Sequence, residues 1–505
     1  MPLDGEQGQR SLVVEPLHRI VRNAGITAGG NLLGQLLSPL IGVITTRVLG
    51  AELYGLYALL VQWAAFVAEI AKAGWGAALV RFVGVYRALG QLERLKGAIQ
   101  GGLVWTAVVG GGITLLVVLC AEPIAEGVLR HPEATAALRF YAPAIVLTAL
   151  YGLFLATLTG FQQQRFVQLS YAVVGNLVKL GTLLLLVWAG LDIYAALGSS
   201  LLQDVVVLVL SAYFVFRTFP TLQSAAVPAQ IEWRPLLMYA LTIFATSLFY
   251  RYTFQLDVLV LGAFRSAAEV GLYAAALRVQ PLLSLPTYAI GETFNPVVAE
   301  LHARGEREQL QVVYCSAVRW ALLLTFPLVV PLITVPEAVL SIFGPDFPGA
   351  APVLPVLSVG TWIGAAFGIA GYVLNMVGKP QVNLLNSIIT AGLNVGLFLW
   401  LIPLAGMEGA AWAYAVVNIG MALVRVGQVW WLLRLHPWEW ALVRALLVIG
   451  VAIVGAVAGG MVVPWLGSVM GLAIFGLLIR WSLSPHDWEV WRRWRYRESG
   501  AGSRG

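Results

Sequence analysis

Apolar residues fall in blocks along most of this chain, separated by short stretches that carry Gly, Pro and much of the charge. LVWTAVVGGGITLLVVLC (103–120), LVKLGTLLLLVWAG (177–190) and LLVIGVAIVGAVAGGMVV (446–463) are examples. A run of about 20 such residues is long enough as a helix to cross a hydrocarbon core about 30 Å thick. The pattern predicts fourteen helices, numbered 1–14 from the N-terminus: 25–46, 56–78, 98–120, 138–160, 168–190, 195–216, 236–261, 270–298, 313–335, 351–377, 383–404, 409–431, 441–462 and 464–482. The expected fold class is therefore an all-α polytopic membrane protein.

Composition supports that reading. The 505 residues are 59% hydrophobic and only 11% charged, with a mean hydropathy of +0.82. Soluble domains carry roughly a quarter of their residues as charges, so this surface is too poor in charge to face water all round. The polar leader before Ala24 holds Arg10, Arg19 and Arg22 but no short apolar core followed by a small-residue cleavage site, so no cleaved signal peptide is expected. An even number of helices puts both termini on one side. With that side cytoplasmic, the inside tails and loops hold 19 of the 31 Lys and Arg residues, and the outside loops hold only Arg47, Arg130 and Arg265. Positive charge favours the inside, so the reverse orientation is rejected. The tail WRRWRY (491–496) reads as an interfacial anchor on anionic headgroups rather than as a nucleic-acid binder.

The blocks also repeat. Gly55-Leu56-Tyr57 opens helix 2 and Gly271-Leu272-Tyr273 opens helix 8. ALGQLERL (88–95) matches ARGEREQL (303–310), LTGFQQ (158–163) matches MVGKPQ (376–381), and GLDIYAAL (190–197) falls on GMEGAAWA (406–413), with Asn176 on Asn394. The order and the nearly constant offset mark a duplication of a six-helix unit rather than chance. Because six is even, both copies enter the membrane in the same sense, which predicts two pseudo-symmetric lobes about an axis along the membrane normal with a cavity between them. The expected organisation is a cytoplasmic tail (1–24), a first lobe of helices 1–6 (25–217), a cytoplasmic linker (218–235), a second lobe of helices 7–12 (236–434), helices 13 and 14 (441–482) and a basic Trp/Arg-rich cytoplasmic tail (483–505).

TTRVLGAELYGLYALL (45–60), ALVRFVGVYRALGQLERLKGAI (78–99), DVLVLGAFRSAAEVGLYAAALRV (257–279) and GYVLNMVGKP (371–380) resemble the polysaccharide-exporter flippases of the multidrug/oligosaccharidyl-lipid/polysaccharide exporter superfamily, over residues 20–435. The motifs are diffuse patterns of Gly, aromatic and basic residues. The resemblance implies two V-shaped lobes with helices 1, 2, 7 and 8 around the cavity, in a bacterial inner membrane. It also implies a substrate in which a sugar chain is joined through pyrophosphate to a polyprenol. That lipid-linked oligosaccharide would move from inner to outer leaflet by alternating access, for cell-surface polysaccharides such as O-antigen or exopolysaccharide and beside a polymerase or export machinery.

Ionisable side chains deep in a bilayer are costly and usually face a cavity or a partner. Away from helix ends the chain places Glu69 and Lys72 in helix 2, Lys179 in helix 5, Asp204 in helix 6, Arg251 and Asp257 in helix 7, Arg278 and Glu292 in helix 8, and Arg425 in helix 12. Helices 2, 7 and 8 hold six of these nine, three basic and three acidic. Glu69 and Lys72 are spaced to neutralise one another on one helix face, Lys179 and Asp204 to meet inside the first lobe, and Arg425 to snorkel. Arg251, Arg278 and Arg47, at the outer end of helix 1, are the candidates for gripping pyrophosphate, because a guanidinium offers phosphate oxygens a planar fork of donors and keeps its charge. Asp257 and Glu292 are candidates for loading a proton or sodium ion. Pro281, Pro286 and Pro296 predict kinks in helix 8.

No cofactor is expected. All five His residues lie in tails or loops, Cys120 and Cys315 are far apart, and there is no Walker A lysine motif, so metal, disulfide and ATP chemistry find no pattern. A membrane glycosyltransferase or polymerase would need a longer outer segment than 121–137 for catalytic carboxylates, so no enzymatic activity is expected. The competing transport readings are an ion-coupled drug/cation antiporter of the same superfamily, which typically has twelve helices and often an acid in helix 1, and a peptidoglycan-precursor flippase.

Overall fold

The computed structural model describes residues 4–224, 226–251 and 256–483, with side chains from residue 37 onward apart from 245–251 and a few single positions such as Glu292. The Trp/Arg-rich tail therefore lies outside the described residues. Every regular element described is helical. Ten of the helices are long and apolar enough to cross a membrane. Two of the ten are each a pair of helices joined at a single glycine. Helices 1 and 2 form one run, Asp4–Lys72, interrupted only at Gly50 (φ 68°). Helices 11 and 12 form another, Pro380–Leu433, interrupted at Gly406 (φ 56°). Glycine adopts positive φ without the Cβ clash that other residues meet, so one residue suffices to redirect the chain.

Helix 8 differs from its sequence-based outline by being broken. Helix 7 is described over Trp233–Arg251 and Leu256–Phe264. Helix 8 consists of Ala267–Leu277 and Gln280–Ala303, with a turn at Arg278 and Val279. Pro281 has no N–H to give to Leu277, so the break falls where the sequence removes a helical hydrogen bond. Pro286 and Pro296 lie inside the second piece without ending it. Helix 2 breaks at Ala73 (φ 45°) and Gly74 (φ 80°) before resuming as Trp75–Ala88. Helix 5 begins earlier than its apolar run, at Gln164, and contains a π-helical stretch, Leu169–Gly175.

The chain divides into two compact units, residues 1–274 and 275–505. In the first, Trp75, Leu79, Val83, Leu95, Ile99, Leu153, Leu158 and Val215 form a buried core shared by helices 2, 3, 4 and 6. The outer faces stay apolar, as at Val108 (68% exposed) and Leu185 (63% exposed), which suits lipid rather than water. The linker after helix 6 is strapped to the start of helix 3. Lys96 Nζ donates to the carbonyls of Ser224 (2.6 Å) and Val227 (3.0 Å). Gln230 N donates to Glu93 O at 3.1 Å, and Arg94 pairs with Glu232 at 3.2 Å. Tyr86, beyond the apolar part of helix 2, donates to Glu232 at 3.0 Å.

In the second unit helix 10, Val353–Met376, packs on the Pro380–Leu433 pair and on helix 9, Arg307–Thr334. Helices 13 and 14, Trp440–Val462 and Pro464–Ser482, form a tight hairpin against helix 9. Gly459 and Gly467 lie on their shared face, where a Cβ on Gly459 would meet the Gly467 Cα at 3.1 Å. The entry to helix 13 is pinned by an ion pair between Arg319, fully buried in helix 9, and Glu439. His436 N donates to Gln311 Oε1 at 3.1 Å just before it.

Candidate functional site

The two copies of the repeated phrase meet at their glycines, Gly55 and Gly271. A Cβ on Gly55 would overlap the Ala267 carbonyl oxygen and lie 2.7 Å from the Gly271 nitrogen. A Cβ on Gly271 would overlap the Ala51 carbonyl oxygen and lie 2.9 Å from the Gly55 nitrogen. The contact is reciprocal at the offset of the repeated phrase, each glycine facing the backbone beside the other. Helix 2 also touches helix 7. Leu59 packs where a Cβ on Gly262 would stand, and the Gly74 break lies against the backbone at Ala240 and Phe244. Helices 2, 7 and the start of helix 8 are thus brought together inside the first unit, and glycines set the distances.

The two tyrosines of the phrase are buried and serve different partners. Tyr273 donates to Asp257 Oδ2 at 2.9 Å, and Val258 N donates to Asp257 Oδ1 at 2.8 Å. Asp257 is fully buried, so its two oxygens clasp the helix 7–helix 8 hairpin, and an arriving ion would have to share or displace the Tyr273 hydroxyl. Tyr57 instead faces the interior of the first six helices. Lys179 Nζ donates to Tyr57 Oη at 3.2 Å. The Tyr57 and Ser200 oxygens are 3.2 Å apart, and Ser200 Oγ donates to Ala196 O at 3.0 Å. Asp204, one helical turn further, accepts from Thr148 at 3.2 Å. The sequence expectation of a direct Lys179–Asp204 pair is modified: among the described residues the two share a polar interior but hydroxyl groups stand as their hydrogen-bond partners.

Glu69 and Lys72 do form an ion pair along helix 2, as their spacing predicts. Arg47 is exposed just before Gly50, and Arg278 is half-buried at the break in helix 8. Arg251 lies in helix 7; its side chain and that of Glu292 lie outside the described residues. Arg425 is half-buried on helix 12, near Gly371 of helix 10. Sequence reasoning passed over Arg81, whose guanidinium sits 4.5 Å from the Tyr239 ring and so joins helix 2 to helix 7. It also passed over a difference between the two copies. Asn176 bonds to Ala172 O at 3.0 Å and accepts from Gln203 at 3.3 Å. Its counterpart Asn394 is fully buried with neither side-chain atom hydrogen-bonded among the described residues. Among the described residues no group of three or more His, Cys, Asp or Glu could hold a metal ion.

The described residues form an all-helical membrane protein with a broken helix 8 and glycine-set helix crossings. Its fold is that of the multidrug exporter and lipid flippase superfamily. The "Lipid II flippase MurJ, inward closed conformation" superimposes with a TM-score of 0.70 at 13% identity, over 90% of this chain and 97% of that one. The chain belongs to the polysaccharide biosynthesis protein family, whose profile matches residues 20–302; a MatE profile matches residues 242–400. Two relatives come from Haloferax volcanii. A "Probable low-salt glycan biosynthesis flippase" is 26% identical over 48% of this chain and 51% of its own length. The "Probable flippase AglR" is 23% identical over 78% of this chain and 80% of its own length.

Proposed function

We propose that this protein is a flippase that carries a polyprenyl-pyrophosphate-linked oligosaccharide from the cytoplasmic to the outer leaflet of the plasma membrane, for cell-surface glycan biosynthesis, without an enzymatic step. The observation that carries the reading is the polysaccharide-family match over residues 20–302; the probable glycan flippases among its relatives agree with it. In this reading the chain crosses the membrane fourteen times: Gly50 and Gly406 each separate two crossings, and helix 7 and the two pieces of helix 8 each make one. Both termini are then cytoplasmic.

The chemistry asks for little more than binding and reorientation. Arg251, Arg278 and Arg47 would hold the pyrophosphate, the group whose charge forbids unaided passage through hydrocarbon. A guanidinium binds it through paired N–H donors and does not lose its proton in the apolar surroundings. Asp257 and Glu292 would load the coupling ion, Asp257 by exchanging the Tyr273 hydroxyl for it. The breaks at Ala73–Gly74 and at Arg278–Val279 supply places where helices 2 and 8 can bend without losing further backbone hydrogen bonds. The polyprenol chain stays in lipid throughout.

The test is leaflet accessibility of a labelled lipid-linked oligosaccharide in proteoliposomes or in cells lacking the protein. Stranding of the glycolipid on the cytoplasmic side without the protein is expected. A second reading, an ion-coupled drug antiporter, is favoured by the MatE match over residues 242–400. It wins if the glycolipid crosses equally well without the protein while drug efflux falls. Impermeant labelling of a cysteine placed at Arg94 in intact cells would reverse the orientation.

A further inference from the structure

Asp204 is 8% exposed, deep among six apolar helices, and accepts its side-chain hydrogen bond from the neutral hydroxyl of Thr148. A carboxylate there must be neutralised by a proton, a bound cation or a basic side chain. Among the described residues, the titratable groups that face this interior are Tyr57 from helix 2, Tyr141 and Tyr151 from helix 4, and Tyr171 and Lys179 from helix 5. Lys179 is the one cation in that set. Among the described residues, Arg47, Glu52, Arg139, Arg165, Asp192 and Arg217 on the surrounding helices are exposed, Glu69 is matched by Lys72, and on helix 3 Arg94 pairs with Glu232 while Lys96 is bonded to the Ser224 and Val227 carbonyls.

The ammonium is held in place rather than left to wander. It donates to Tyr57 Oη at 3.2 Å and lies 5.9 Å from the centroid of the same ring. Tyr57 in turn is fixed by Ser200, which shares a helix face with Asp204 one turn away. Hydroxyl groups from helices 2 and 6 therefore connect the base on helix 5 to the surroundings of the acid on helix 6. The arrangement has the contents of a cation site: a carboxylate, threonine, serine and tyrosine oxygens, and a positive charge that happens to be covalently attached.

We propose that Lys179 is a tethered counter-ion, filling for Asp204 the electrostatic place that a proton or alkali cation would otherwise take, so that the first lobe does not load an ion through Asp204. The proposal stands whatever the cargo. It leaves any coupling ion to residues outside this cluster.

The experiment is thermal unfolding of the purified full-length chain in detergent, in sodium, potassium or choline chloride at matched ionic strength, between about pH 5 and 8. The wild type should melt at the same temperature in all three salts. K179M leaves Asp204 with no resident cation. Its melting temperature should fall by several degrees as pH rises in choline, because the carboxyl must then ionise without a counter-charge, and should recover on acidification or in sodium or potassium. K179Q, which keeps a donor for Tyr57 but no charge, should behave as K179M does, and K179M/D204N should be flat. If K179M cannot be purified, recovery of the fold in K179M/D204N supports the proposal and failure to recover overturns it. It is also overturned if K179M and K179Q track the wild type, or if the wild type is stabilised specifically by sodium or potassium and D204N abolishes that response.

Discussion

Adding one methyl group at Gly55 tests whether the repeated glycines exist to let helices 2 and 8 touch. The Cβ of Gly55→Ala would stand 2.7 Å from the Gly271 nitrogen and overlap the Ala267 carbonyl. Ordinary carbon contacts to backbone polar atoms begin near about 3.3 Å, so the nitrogen contact alone demands a retreat of about 0.6 Å. Both neighbours are backbone, so no side-chain rotation can relieve the clash. Overpacking of this kind costs about 1–3 kcal/mol, occasionally more. Alanine is intrinsically the better helix former by about 0.8–1 kcal/mol, which offsets part of that cost. Gly84→Ala and Gly111→Ala are the controls: a Cβ at either has nothing within 4 Å, so only the propensity gain remains. In detergent melts Gly55→Ala and Gly271→Ala should each lower the melting temperature while the controls leave it level or raise it. The double variant should lose less than the sum of the singles, since one separation of the helices accommodates both methyls. Wild-type stability for Gly55→Ala, or strict additivity of the pair, refutes the crossing.

At the Arg319–Glu439 pair the cost depends on which partner is lost. Glu439→Ala takes the carboxylate from a guanidinium of 0% exposure, leaving it neutral partners such as Ser316, whereas Arg319→Met leaves a carboxylate that is 29% exposed and can reach water; breaking a buried pair costs up to about 3–5 kcal/mol, so the first variant should lose the larger share in the same melts. Burial, and then the hydrogen bond to Glu232, push Tyr86 from 10.0 up to about 12. A group raised on folding contributes stability that is whole below its unfolded value and lost as pH rises through the folded one, so the wild type should lose stability between pH 10.0 and about 12 and Tyr86→Phe should lose less over that window. For substrate binding, Arg251→Ala should abolish glycolipid transport at normal membrane abundance, a charge-assisted contact being worth about 1.5–3 kcal/mol, and Arg251→Lys should rescue only in part; normal transport by a well-expressed Arg251→Ala protein removes this residue from the site.

The sequence by itself determined the features that local composition and counting can set. Blocks the length of a bilayer, with few charges, leave helices as the one way to satisfy the backbone in lipid, and the order of elements described is all-helical. The Glu69–Lys72 pair was legible because helix geometry alone brings i and i+3 together. The Pro281 break was legible as a kink because a missing N–H is a property of the residue. The tertiary structure decided everything that depends on which helix faces are opposed. Gly55 and Gly271 carry no linear signal that they touch, because a glycine's use at a crossing is defined by the backbone across from it. Tyr57 and Tyr273 occupy the same place in the repeat, yet one meets Lys179 and Ser200 and the other Asp257. The partners differ because a hydrogen bond is fixed by atoms that three-dimensional packing, not chain order, brings within reach.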